Sequence, residues 1–191
     1  MKRLYIIAGP NGAGKTTASY TILPEILGCR EFVNADEIAR GISPFSPESV
    51  SIQAGKIMLA RIKELLVRGE SFAFETTLAS KTFTKLIKQA KDNNYDIVLL
   101  FLWLDSVELA IRRVSVRVKE GGHDILEGVI VRRYQNGLKN LFKYYLPIVD
   151  KWFLVDNSGE KFQFIAEGIK EKHFIKNKDL WSSIKQKYDE Y

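Results

Sequence analysis

Five short apolar runs punctuate the chain: LYIIAG, REFVNADE, SFAFETTL, DIVLLFLWLD and WFLVDNSG. Each ends in glycine or polar residues, the pattern of a strand entering a loop. DIVLLFLWLD is the most apolar of them and reads as a strand buried on both faces. Between the runs the apolar positions shift to a helical period. In residues 47–68, Ile52, Ile57, Leu59, Ile62, Leu65 and Leu66 recur close to that spacing, and Gly69 follows as a stop. Residues 16–23 predict a short helix ended near Pro24, and residues 81–93 another. Residues 106–119 predict a helix with Ser106 as N-cap and Glu108 in its first turn. EGGHD breaks the pattern, residues 125–146 resume it, and Pro147 closes it. The tail, residues 161–191, reads as helical in two pieces.

Strands separated by helices imply parallel pairing through right-handed crossovers. The expected fold class is α/β, a three-layer, five-stranded parallel sheet in a single domain over residues 1–191. No internal repeat or linker interrupts it. In such sheets ligands bind beyond the carboxyl ends of the strands. The polar residues that follow strands are therefore the candidates for chemistry: Gly9 to Thr16, Asn34 to Glu37, Glu75 to Thr77, Asp105, and Asp156 to Ser158.

Composition adds few constraints. At 191 residues, 46% hydrophobic and 27% charged, the chain has enough material for a core without staples. Its one cysteine, Cys29, excludes an intrachain disulfide and a cysteine-based zinc site. That fits a reducing compartment, and the expected location is the cytoplasm. The opening MKRLYIIAG is too short in its apolar part for a leader and runs straight into the glycine loop. No run reaches the roughly 18 apolar residues that a membrane span needs. A net charge of +6 suits an anionic partner without choosing between phosphorylated small molecules and nucleic acid.

Gly9-Pro10-Asn11-Gly12-Ala13-Gly14-Lys15-Thr16 matches G-x-x-x-x-G-K-[ST] in full, between a predicted strand and a predicted helix. The glycines let the backbone turn its N–H groups inward onto phosphate oxygens. The following helix start, with Thr17, offers more N–H groups and a positive dipole end. Lys15 is expected on the β- and γ-phosphates and the Thr16 hydroxyl on Mg²⁺. Asn11, Gly12, Ala13, Gly14 and, from the last strand end, Asn157 complete the expected ATP contacts. A transporter ATPase would need a strand ending in Asp-Glu and an LSGGQ-like signature, and a small GTPase an N/T-K-x-D motif. None is present; Gly121-Gly122 lacks the flanking residues, and the NNYD at residues 93–96 lacks the lysine.

A kinase acting on an alcohol benefits from a carboxylate that takes the hydroxyl proton opposite the γ-phosphate. Asp36 is the candidate base, with Glu37 behind it. Asn34 or Asp36 could instead simply cap the next helix. Glu75, a charge at the end of an otherwise buried strand, is a candidate for binding a substrate hydroxyl or water-held Mg²⁺, with Thr76 and Thr77 beside it. Arg112, Arg113 and Arg117 share one predicted helix, and Arg132 and Arg133 the next. Two arginine-bearing helices flanking a glycine hinge suit a lid over about residues 117–133 that closes cations onto the phosphoryl group and excludes water. His123 lies in that hinge.

GPNGAGKTT, FVNADEIARG, GESFAFETTLAS, FLWLDS, RVSVRVKEGGHDI and VRRYQNGLKNLF, in that order, resemble the zeta-toxin-type kinases, in particular their compact chromosomal members. The resemblance covers residues 4–158. It implies a P-loop kinase fold with strand order 2-3-1-4-5 and phosphorylation of a sugar hydroxyl on a small molecule such as UDP-N-acetylglucosamine. It implies Asp36 as the catalytic carboxylate, Glu75 as a substrate-binding residue, and Arg113, Arg117, Arg132 and Arg133 as the phosphate-clamping set. The lid also resembles that of adenylate kinase, which suits Arg113 and Arg117 to adenine and phosphates. An antitoxin would be a separate chain. Two other readings compete: a nucleic-acid 5′-hydroxyl kinase, suggested by basic charge and by Trp181 and Tyr188 among lysines in the tail, and an ATP-dependent binding module without transfer. The tail reads better as an amphipathic helix docked on the sheet.

Overall fold

The computed structural model describes residues 1–122 and 124–188; His123 falls outside them. Its centre is β1 (Lys2–Ala8), whose residues 4–8 are all buried. β3 (Phe72–Thr76) pairs with β1 in parallel on one side and β4 (Tyr95–Trp103) on the other. Outside β3 lies β2 (Phe32–Val33), and outside β4 lies β5 (Lys151–Asp156), both parallel. The order β2-β3-β1-β4-β5 is the one the resemblance implies.

The sheet continues past five strands. β6 (Gln163–Ile169) pairs antiparallel with β5, and β7 (Lys172–Ile175) antiparallel with β6, giving seven. The expectation of two helical pieces in the tail is corrected here. Among the described residues of the tail only α7 (Lys178–Tyr188) is helical. The turn of the hairpin is Lys170-Glu171, bracketed by the pair Ile169↔Lys172, with Lys170 at φ 54. It carries none of the Gly or Asn residues that announce such turns. The hairpin's exposed lysines imitate a solvated helix face. α7 does dock as expected: Trp181 stacks on Trp152 at 5.6 Å and 10°, and Ile184 and Tyr188 are buried.

Among the described residues six further α-helices complete the layers: α1 (Lys15–Thr21), α2 (Ala35–Ile42), α3 (Ser51–Arg68), α4 (Thr82–Asp92), α5 (Val107–Lys119) and α6 (Glu127–Asn140). Gly69 caps α3 in the left-handed region at φ 69, and Ser106 caps α5 by accepting from the Leu109 N–H. Met58, Ile62 and Leu65 of α3 and Leu86, Ile87 and Ala90 of α4 cover Phe72, Phe74, Leu99 and Phe101 in the larger core. A smaller core, with Tyr5, Ile7, Leu23 and Cys29, lies on the opposite face.

The first α-helix ends at Thr21, shortly before Pro24. Beyond Thr21 the chain opens into a wider turn, residues Ile22–Ile26, closed by Leu27 N–H to Ile22 carbonyl at 3.0 Å. Proline has no N–H to lose, so a looser turn accommodates it. The same widening follows α6 over Leu141–Tyr145.

α6 is pinned to the strand ends that form the site. The Tyr134 hydroxyl donates to the Leu104 carbonyl at 2.6 Å, the Asn140 amide to Leu78 at 2.7 Å, and the Tyr145 hydroxyl to Ser80 at 2.6 Å. Burial pushes the Tyr145 phenol up to about 12, so it stays a donor. Gly137 sits directly against the Thr77 carbonyl, with no space for a Cβ. Gly137→Ala should therefore lower stability by about 1–3 kcal/mol, the usual range for overpacking. A denaturant titration checks this; a change within 0.5 kcal/mol would show that α6 yields freely at this contact.

Candidate active site

The loop after β1 turns through Gly9, Gly12 and Gly14, all at positive φ. A side chain on Gly12 would meet the Ala110 carbonyl at 2.8 Å, so the loop lies close against α5. Gly14, at φ 77, hands the chain to α1, whose first residues are Lys15 and Thr16. Both face the sheet rather than solvent. Lys15 is 6% exposed, and its Nζ donates to the Pro10 carbonyl at 2.9 Å and lies 3.5 Å from Glu75 Oε1. The Thr16 hydroxyl donates to Glu75 Oε2 at 2.7 Å.

Glu75 thus belongs to the phosphate-loop network, brought there by the parallel pairing Ala8↔Thr76 at the ends of β1 and β3. A second donor reaches Glu75 Oε2: Asn34 Nδ2, at 2.9 Å. This role of Asn34 escaped the sequence reading, which named it among the strand-end polar residues and as a possible cap. It is also the cap, since its Oδ1 accepts the Asp36 N–H at 2.8 Å. Because Asn34 fills the capping position, the Asp36 carboxylate is left over for other work. Among the described residues it has no ion-pair partner. Glu37, by contrast, is exposed and lies 3.9 Å from Arg40.

Two adjoining clefts open above these residues. The first, of about 390 Å³, is lined by Asn11, Lys15, Asn34, Asp36, Glu75, Thr76, Thr77 and Arg133, with Lys56 and Leu59 of α3. The second, of about 730 Å³, lies between the α2–α3 connection, with Arg40, Phe45 and Glu48, and the α5–α6 connection, with Gly121, Asp124 and Leu126. Asp36 and Arg133 line both. Arg133 reaches over the loop, its guanidinium 3.5 Å from Asn11 Oδ1.

The other predicted residues divide. Arg113 is turned to backbone: it donates to the carbonyls of Asn157 at 2.7 Å and Ser158 at 3.0 Å. Asn157 in turn donates to the Ala13 carbonyl at 2.9 Å. Arg113 therefore ties the end of β5 to the phosphate loop. Arg117 is half-buried on α5 and lines neither cleft; the turn at Gly121-Gly122 folds back on it, with Gly122 N–H to the Arg117 carbonyl at 2.9 Å. Arg112, Arg132 and Thr17 are exposed and line neither cleft. Lys56 and Phe45, which do, went unnoticed because a lone lysine on an amphipathic helix and a lone aromatic in a loop carry no motif.

A P-loop implies Mg²⁺. The donor set fits it: one hydroxyl and one carboxylate oxygen, with phosphate and water left to supply the rest, is how this hard cation is held. Among the described residues no group of three or more His, Cys, Asp or Glu could form a protein-only cage. Among the described residues no helix is long and apolar enough to cross a membrane.

The Zeta toxin family model matches residues 1–162. An uncharacterized protein of Haemophilus influenzae is 29% identical over 126 residues, 66% of this chain and 88% of that protein. Among solved structures, the AvrRxo1-ORF1:AvrRxo1-ORF2 complex with sulphate ions is similar at a TM-score of 0.76 and 17% identity, over 96% of this chain. This chain spans 63% of the length of that one. The PezAT chromosomal toxin-antitoxin system of Streptococcus pneumoniae is similar at 0.67 and 18% identity, over 99% of this chain and 87% of that one.

Proposed function

The chain belongs to the Zeta toxin family, and from that premise we propose that it is an ATP- and Mg²⁺-dependent kinase that phosphorylates a hydroxyl of a small molecule, a nucleotide sugar such as UDP-N-acetylglucosamine being the leading candidate. One observation carries the reading: Asp36, a carboxylate with no ion-pair partner among the described residues, lines the same cleft as Lys15, Glu75 and Arg133. A hydrolase would use such a group to orient water. A transferase uses it to orient the acceptor hydroxyl and take its proton.

In this reading the loop N–H groups and Lys15 hold the β- and γ-phosphates of ATP. Thr16 and Glu75 would hold magnesium, which would supply charge neutralisation to those phosphates. Arg133 faces the same space and stabilises charge on the phosphoryl group in transfer. Asp36 receives the acceptor's proton. Thr76, Thr77 and Glu75 bound the acceptor's sugar side. Arg117 and Arg132 remain proposed clamps that would act on closure of the segment about 117–133. A separate antitoxin chain is a proposed partner, supported by the toxin-antitoxin system among the similar structures.

The clefts have the volumes of small-molecule sites. An acceptor with its hydroxyl at Asp36 extends into the second cleft, where Phe45 is fully exposed. A base stacked on an aromatic ring gains about 1–3 kcal/mol. Phe45→Ala should then raise the acceptor KM about tenfold with kcat little changed; an unchanged KM removes the second cleft from the acceptor path.

The deciding experiment is a screen of hydroxylated metabolites for acceptor-dependent ADP release and a phosphorylated product. ATP turnover indifferent to every acceptor would sink the kinase reading. The 5′-hydroxyl kinase alternative loses one of its motives, because Trp181 packs on Trp152 and Phe142, and keeps the other, the net charge of +6. Phosphorylation of a 5′-hydroxyl oligonucleotide in the same screen would revive it.

A further inference from the structure

We propose that Asn34 is a positioning residue that holds the base side and the metal side of the site in one register. This rests on the phosphoryl-transfer reading above. Strand β2 is only two residues long and pairs Phe32↔Ala73 and Val33↔Phe74. The ladder therefore stops one step before Glu75. At that step the Asn34 side chain continues the link: its Nδ2 donates to Glu75 Oε2 at 2.9 Å and lies 3.4 Å from Thr16 Oγ1. The other end of the same amide accepts the Asp36 N–H at 2.8 Å.

The amide is planar and its two polar atoms have a fixed separation. One rigid group therefore sets where α2 begins, and so where Asp36 stands, and also where the Glu75 carboxylate points. Asn34 is 5% exposed, so water is a poor substitute for either bond. Among short side chains asparagine alone offers this pairing of acceptor and N–H donor. Serine and threonine are also good helix caps and carry no charge. Neither can accept from Asp36 and also present an N–H to Glu75.

That equivalence supplies the test. If Asn34 only caps α2, Asn34→Ser and Asn34→Thr behave as wild type. If it positions Glu75, both variants should keep a melting temperature within a few degrees of wild type and an ATP KM within about threefold. Their kcat should fall about 10–100-fold, the usual effect of losing a group that orients a metal ligand. Crystal structures give a readout apart from activity: in Asn34→Ser the Glu75 carboxylate should leave the Thr16 hydroxyl while α2 stays capped. With an active wild type, two variants within twofold of its kcat overturn the proposal. Should the wild type transfer phosphate to nothing, the kinase reading falls by itself. The structures then decide: a displaced Glu75 upholds the holding role, and an unmoved Glu75 overturns it.

Discussion

Replacing Asp36 by asparagine should lower kcat for phosphoryl transfer by about 10²–10⁴-fold, the range expected on removing a general base. The carboxamide keeps the size and planarity of the side chain and removes its charge and basicity. Little else should change. The cap on α2 is made by Asn34 to the Asp36 backbone N–H, which the substitution retains. No buried cation loses a partner, because none pairs with Asp36 among the described residues. The melting temperature should therefore hold, and so should the ATP KM, since the phosphate loop contacts are untouched. Acceptor-dependent ADP release at saturating acceptor measures the effect. A loss of less than tenfold would count against Asp36 as the base and leave it as a binding residue.

Lys15→Met should lower turnover by about 10³-fold, as expected when a group that stabilises transferring phosphate charge is removed. It should also destabilise the free protein, and this second effect has a separate cause. The Glu75 side chain is 9% exposed, and Lys15 is the cation beside it at 3.5 Å. Removing one partner of a fully buried pair costs about 3–5 kcal/mol. Here the cost is smaller, because Glu75 also lines an open cleft and keeps its bonds from Thr16 and Asn34. The double variant Lys15→Met, Glu75→Gln should recover the melting temperature and not the turnover. That split separates the structural role of the lysine from its chemical one. Turnover of the single variant within tenfold of wild type would refute the assignment of Lys15 to the phosphates.

The parts of the site that follow local rules were legible early. Gly69 as a helix stop and Ser106 as an N-cap needed only their own turn of chain. The carboxyl ends of strands named Asp36 and Glu75 as candidates, because parallel sheets bind ligands there. The arginines were harder. Helical spacing puts Arg113 and Arg117 on one face but does not say what that face meets. Arg113 in fact meets the carbonyls of Asn157 and Ser158, while Arg133 reaches the loop and its neighbour Arg132 points to solvent. The β6–β7 hairpin was hidden for a related reason. Its turn lacks glycine and asparagine, and the alternation of QFIAEGI is broken by adjacent buried residues Ile165 and Ala166 beside a bulge in the pairing.

By itself the sequence determined the phosphate loop and the α/β alternation. Both are written at short range, in the torsional freedom of glycine and in the period of apolar residues. Only the tertiary structure decided which side chains share the site. Thr16 meets Glu75 across 59 positions, Asn34 meets Glu75 across 41, and Arg133 meets Asn11 across 122. No local spacing encodes such meetings. They follow from the order and register of the strands, which carry residues distant in the chain to adjacent strand ends. There the burial of Asn34, Lys15 and Glu75 makes each bond depend on the others.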